Sequence, residues 1–366
     1  MHRVIRISLP ALLATIALPL RADVFCVQTA GELSAYLFAA GINLEDDEIR
    51  IRKGTYAMAN GIYYDYDANP SENFDLEVSG GWYTRGTAPC GAQSDNPWET
   101  VLDGEGKETV LRLSVGPSDQ HASISVSLLT FMNGFAEYIV GASTVSGLEV
   151  ELWNSVGEES PTGTLSVERN VFLLNEGEFM LGVDGGFQQV TNNLILLNRG
   201  DGAHAAGAVL LTPDSVFGAT FTNNTVIGND DRGVLVYGRG EIANNNFRDN
   251  GGVDVEQGNS GYDLFLHNNN LQSYDVAGNA VLQGNIDVEP EYQGGLFNFT
   301  PVRGSPLVDA GREPQGLWYL TEVDLNDSPR KVGPHVDIGA FENEKIFVDG
   351  FDPSGPFGFA GSRATE

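Results

Sequence analysis

Between residues 165 and 285 the chain repeats one short phrase: an apolar residue, two variable positions, an Asn, then a short run ending in a second Asn. The copies run Val167 to Asn170 to Asn175, Val190 to Asn193 to Asn198, Phe221 to Asn224 to Asn229, and Ile242 to Asn245 to Asn250. A fifth, Leu266 to Asn269, keeps the first Asn and loses the second. First-Asn separations are 23, 31, 21 and 24 residues, whereas the inner offset is five in all four complete copies. A repeat of this length, made of short strands and turns, describes the rung of a parallel β-solenoid, with variable stretches leaving as outer loops. Regular short strands with turns also describe an antiparallel sandwich. The constant inner offset favours coils. In that reading Asn170, Asn193, Asn224, Asn245 and Asn269 stack as a structural ladder at corners, where Asn tolerates left-handed backbone and identical amides hydrogen-bond between rungs.

Ahead of the repeats, Thr29-Ala30-Gly31-Glu32 has capping-box spacing, and Leu33, Tyr36, Leu37 and Ala40 follow at helical period, which predicts a short helix over 30–40 stopped by Gly41. Strand patterns follow at 48–52, 76–79, 109–113 and 124–129, and Tyr63 to Asp67 reads as a loop-like excursion suited to recognition. The expected fold class is all-β, a right-handed parallel β-helix with an N-terminal capping helix.

Composition sharpens this picture. With 45 Gly and only four Met in 366 residues, turns outnumber packed helices. Fifty acidic against 20 basic side chains give a formal charge of −30, a field that repels phosphate backbones, so no nucleic-acid partner is expected. Arg3 and Arg6 precede an apolar run from Ile7 to Leu20, the order of a secretory signal peptide, with cleavage expected after Ala22. Removing three Arg and no acid would take the charge to −33. That run falls short of the ~20 residues a membrane span needs, and no later stretch approaches it, so no transmembrane segment is expected after signal removal. Cys26 and Cys90, the only cysteines, are expected to form one disulfide in an oxidising compartment.

The amino-terminal phrases Thr29 to Leu33, Asp47 to Ile51 and Gly54-Thr55-Tyr56, together with Gly80-Gly81-Trp82 and Thr100 to Gly104, resemble those of secreted bacterial right-handed parallel β-helix proteins of pectate-lyase-like architecture. Near the end, Asn285-Ile286-Asp287 with Pro290, Gly304 to Gly311, Asp324, Arg330 and Val336 to Glu342 resemble the closing region called choice-of-anchor Q. The resemblance implies a β-helix over 23–300, a closing region over 301–345, and a terminal motif and flexible tail over 346–366. Without it, Ser305-Pro306 fixes an extended entry, Ala310-Gly311 and Ile338-Gly339-Ala340 allow close backbone approach, and Asp309 and Asp337 offer caps. The expected role is to cover the solenoid's open end, whose strand edges invite aggregation.

Residues just past each second Asn would share one corner: Glu176 and Glu178, Arg199 and Asp201, Asp230, Asp231 and Arg232, then Asp249 and Asp254. Carboxylates in a row could bind Ca²⁺ or divide acid–base work on a sugar, and Asp201, Asp230, Asp231 and Arg232 are the candidate catalytic residues, with the three Asp as candidate metal ligands. Their segments also have the composition of turns, which is the preferred reading, and no cofactor is required. His204 and His267 fit no catalytic spacing. Trp82, Tyr83, Trp98, Trp153, Trp318 and Tyr319 are candidate sugar platforms. The expected function is an exported, non-enzymatic scaffold binding a polysaccharide or cell-surface component. The alternative is a polysaccharide lyase or glycoside hydrolase.

Overall fold

The computed structural model describes residues 23–43, 45–58, 60–66, 74–116, 122–137, 139, 143–152, 163–200, 207–214, 218–259, 261–314 and 320–343. The expected signal peptide, the terminal motif and Asp201, His204, Trp153, Trp318 and Tyr319 lie outside the described residues.

Three strands and three corners make one rung. Thr164–Glu168 belongs to sheet A, Val171–Leu173 to sheet B and Phe179–Asp184 to sheet C, after which Phe187–Thr191 returns to sheet A beside Thr164–Glu168. Repetition gives an 11-stranded sheet A, a seven-stranded sheet B and an eight-stranded sheet C, parallel throughout except where Leu76–Arg85 pairs with Ala88–Gln93. This is a right-handed parallel β-helix. Each inward position stacks on its counterpart: Ile49, Val78, Val126, Val167, Val190, Phe221, Ile242 and Leu266 form one continuous column in sheet A, every member fully buried. Burying such a side chain stabilises by roughly 1.5–3 kcal/mol. Sheet B contributes Leu102, Phe131, Phe172, Ile195, Val226 and Phe247, with the Phe131 and Phe172 rings stacked at 5.1 Å.

The predicted helix spans Ala30–Ala40, with both halves of the capping box formed and Leu33, Leu37 and Ala40 turned into the first rungs. Cys26 and Cys90 are joined in a disulfide, Cα atoms 5.7 Å apart, tying the sheet A hairpin to the first strand. Closing 64 residues contributes roughly 4 kcal/mol in the chain-entropy picture. Tyr63 to Tyr66 is not an excursion, and Asp67 lies outside the described residues. Ile62–Tyr66 is a strand of sheet C with Ile62 and Tyr64 buried and Tyr63 outward, because apolar alternation with period two selects a strand.

At the corner between sheets A and B, the side-chain oxygens of Asn170, Asn193, Asn224, Asn245, Asn269 and Asn285 each accept the backbone N–H of the equivalent residue one rung earlier, at 2.9–3.0 Å. Their amide nitrogens donate to backbone carbonyls of the neighbouring rung, as Asn224 does to Val190 at 2.9 Å. A second column, Asn175, Asn198, Asn229 and Asn250, does the same at the corner between sheets B and C. The ladder residues are not themselves left-handed. The residue before each one is: Arg169, Asn192, Asn223, Asn244 and Asn268 all have φ between 50° and 58°.

Those left-handed Asn face outward and hold the closing region. Asn192, Asn223, Asn244 and Asn268 donate to the carbonyls of Val323, Asp337, Arg312 and Ala310 at 3.0–3.4 Å. Leu325, Ala340 and Phe341 then cover Val171, Leu173, Leu194 and Leu196 on the outer face of sheet B. Gly339, at φ +104°, brings the strap so close that a Cβ would meet Thr225 Oγ1 at 2.8 Å. The described residues of the closing region therefore lie along the flank, where the column of outward amides supplies donors for an irregular backbone, instead of over the open end, and the last sheet A strand is exposed.

Beneath the strap, Arg330 is 2 % exposed and faces Glu342 at 3.3 Å, with Asp324 and Asp337 fully buried beside them. Both Asp cap backbone: Asp324 accepts from Asn326, Ser328 and Glu342, Asp337 from Asp309 and Asn343. Three carboxyls share one guanidinium, and burial pushes Glu342 up to about 8 and Asp337 to about 6.

Two outcomes are expected. Asn224→Ala orphans the buried Asn193 N–H and should cost roughly 3 kcal/mol in denaturant unfolding, against a smaller loss for the half-buried Asn250→Ala. Because Glu342 binds its proton more tightly folded than unfolded, stability is fully present below its ordinary value of 4.5 and is lost as pH rises through about 8. Melting temperature should fall across that window, and Glu342→Gln should flatten the fall.

Candidate functional site

Of the residues past each second Asn, those that are described include several along the corner between sheets B and C, and the side chains of Glu178 and Asp254 serve the fold. Glu176 lies in the stack between Phe135 and Arg199. Glu178 accepts the Thr144 N–H at 3.1 Å. Asp254, 1 % exposed, accepts from the N–H groups of Gln272 and Ser273 at 2.6 and 3.2 Å and from the Asn250 amide at 3.1 Å. Asp249 occupies a left-handed corner position at φ 55°.

Of the candidate catalytic residues, Asp230 is exposed and its N–H closes the corner onto the Asn198 carbonyl. Asp231 is half-buried, and desolvation raises its carboxyl despite neighbouring Arg232. Arg232 is engaged by Glu256 at 2.7 Å. Asp201 lies outside the described residues, and among the described residues no three His, Cys, Asp or Glu stand close enough to hold a metal ion. His267 meets Glu241 at 3.2 Å on the outer face of sheet A. Trp82 lies under Arg50 at 4.1 Å and donates to Ser79, and Trp98 stacks on Phe297. Tyr83 is 40 % exposed, with Lys53 over its ring.

Among the described residues, a concavity lies elsewhere, on the outer face of sheet C. Tyr63, Arg112 and Glu149 are in register on three adjacent strands and form the floor of an open cleft of about 430 Å³. Lys107 to Thr109 and Phe135 to Glu137 rise as walls, with Ile139 and Thr144 at the rim. Parallel pairing puts the floor residues on a rigid surface one strand apart. Outward alternation explains which residues arrive there: Leu111, Leu113, Leu148 and Val150 point into the core, so Arg112, Glu149 and Glu151 must point out.

Arg112 sits between two carboxylates, Nε 3.2 Å from Glu149 and Nη2 2.9 Å from Glu151, which also accepts from Ser114 Oγ at 3.0 Å. Asp184 follows Glu151 in the same outward row and accepts from Thr212. Desolvation raises Glu149, opposed by Arg112 and reinforced by Glu151 and Asp184. Burial likewise raises the Tyr63 hydroxyl. Lys107 at the wall is paired with Glu105 at 2.8 Å. The cleft thus offers two aromatic surfaces, Tyr63 and Phe135, beside hydrogen-bonding groups whose cations are already balanced within the protein.

Reasoning from the repeats missed this cleft, because its floor comes from rungs that precede the first Asn phrase. The readable signal was a single charge set between large apolar residues, in Leu111-Arg112-Leu113 and Leu148-Glu149-Val150-Glu151.

Arg112→Ala should cost about 1 kcal/mol in urea unfolding at neutral pH, since part of the network is exposed, and the loss should shrink as the pH falls and Glu149, raised by burial, takes up its proton. No protein-family model matches the chain, and no curated protein matches it.

Proposed function

We propose that the protein is an exported, non-enzymatic β-helix scaffold that binds a polysaccharide or another cell-surface component in the sheet C cleft. The observation that carries this reading is the pairing inside the cleft: Arg112 is committed to Glu149 and Glu151, and Lys107 to Glu105. A rigid floor whose cations are already paired, beside an exposed Tyr63 ring, suits recognition of a hydroxyl-rich ligand, where an aromatic face and a few polar groups fix orientation. The charge-then-apolar order of residues 1–22 and the Cys26–Cys90 disulfide are compatible with export. The closing phrases resembling choice-of-anchor Q support surface association, and the pectate-lyase-like resemblance supports a glycan ligand.

One observation favours the enzymatic alternative. Glu149 holds its proton more tightly than an ordinary carboxyl and has Glu151 and Arg112 as neighbours, the ingredients of a lyase or hydrolase pair.

Purified protein tested on neutral, amino and uronic-acid glycans, with and without calcium, separates the two. Scaffold function predicts saturable binding without bond cleavage, weakened at least tenfold by Tyr63→Ala. Glycan cleavage, seen as new reducing ends or unsaturated uronate and abolished by Glu149→Gln, would replace the scaffold reading with the enzymatic one. Absence of both binding and cleavage would remove the cleft as the functional site.

A further inference from the structure

The solenoid has one closed end and one open end. At the amino-terminal end the helix Ala30–Ala40 buries Leu33 and Leu37 against the first strands. At the other end the core columns of sheets A and C end in exposed side chains. The column that is fully buried from Ile49 to Leu266 continues into Leu282, which is 46 % exposed, and the sheet C column through Val234 and Val255 ends in Tyr274, also 46 % exposed. Every residue of the last sheet A strand, Asn279–Gln283, is exposed, and its outer edge pairs with no described strand. The described residues of the closing region lie along the flank and not over this mouth.

We propose that this mouth is an interface between two copies of the chain, joined tail to tail by antiparallel pairing of Asn279–Gln283 with itself across a two-fold axis at Val281. Three features select a second copy as the occupant. First, the strand reads Asn-Ala-Val-Leu-Gln and carries no charge, in a chain of net charge −30, so this is an edge that like-charged copies can bring together. Protective edge charges are absent from it. Second, the sequence is self-complementary about its centre: Asn279 meets Gln283, small Ala280 meets large Leu282, and Val281 meets Val281. Ala280 and Leu282 face the core side of the sheet, so pairing continues the apolar interior from one copy into the other. Third, the helix covers the core at the opposite end, so no apolar column is exposed there to receive a tail, and the contact that buries apolar surface on both copies is the isologous one, which closes at two.

The strand spans roughly 16 Å at about 3.3 Å per residue, and the sheets it adjoins lie about 10 Å away, which gives a few hundred Å² per copy. That falls at the low end of specific interfaces, so the dimer is weak and concentration-dependent.

Sedimentation of the full chain from low micromolar to near-millimolar concentration should show mass rising from one to two copies and no further. Val281→Lys places a charge on the outward side of the edge and should remain monomeric with an unchanged melting temperature. Register is tested separately by cysteine pairs, since the native cysteines are already bonded to each other. Val281→Cys alone should link two copies under mild oxidation, because Cα atoms at the axis of an antiparallel pair lie about 4.5–5.5 Å apart. Asn279→Cys should link only when Gln283→Cys is also present. A chain that stays monomeric throughout, oligomers beyond two, or a dimer indifferent to Val281→Lys would overturn the proposal. Unlinked Val281→Cys copies in a persisting dimer would overturn it as well.

Discussion

From the rung of Leu129 onward two of the three corners pass through the protein interior, and each would strand a backbone N–H where water cannot reach it. An orphaned donor of that kind costs on the order of 1–3 kcal/mol, which multiplied over many rungs would exceed the stability of a domain. The Asn columns remove the cost. In the column between sheets A and B the side-chain oxygen accepts the N–H of the rung before at 2.9–3.0 Å from Leu129 through Asn285, and the NH₂ donates to backbone carbonyls. Asp or Gln would not substitute evenly, since an ionised carboxylate cannot donate and a longer side chain would overfill the corner. With corners fixed, Val167 must stack on Val190 and Phe131 on Phe172, so the core follows from the polar constraint as much as from apolar attraction.

The same corners set where the rest of the chain goes. The ladder amide must point inward, so the residue before it adopts the left-handed region and points out, and where that residue is Asn it docks the closing region. Arg169 holds the equivalent position one rung before Asn192, reaching Asp95 and Asp327 instead. With the closing region along sheet B, sheet C is left free to carry a cleft and the last rung is left open.

The parts legible in the sequence are those with local causes. The five-residue Asn offset reports a three-residue sheet B strand between two corners, and the helix announces itself through Thr29 and Glu32. Among the charged residues after each second Asn, Glu178 and Asp254 turn their carboxylates to backbone N–H groups, and Asp254 is buried where a turn residue would be expected to face water. What stayed hidden depends on register between distant segments. Nothing between Tyr63 and Glu149 states that they stand two strands apart on one surface, and nothing in the closing phrases states that they bond to a column of Asn instead of the open end. Tyr63 was misread for a simpler reason: aspartates beside a run of tyrosines resemble a loop, although the alternation from Ile62 to Tyr64 already specified a strand.

Hydrogen exchange at the ladder positions tests this account most directly. If the amide columns carry the fold, the backbone N–H groups of Asn170, Asn193, Asn224 and Asn245 should exchange only through global unfolding, as slowly as those of the central strands and together with them. Exchange at these corners at the rate of surface loops, while the strands remain protected, would show that the columns are incidental to what holds the rungs in place.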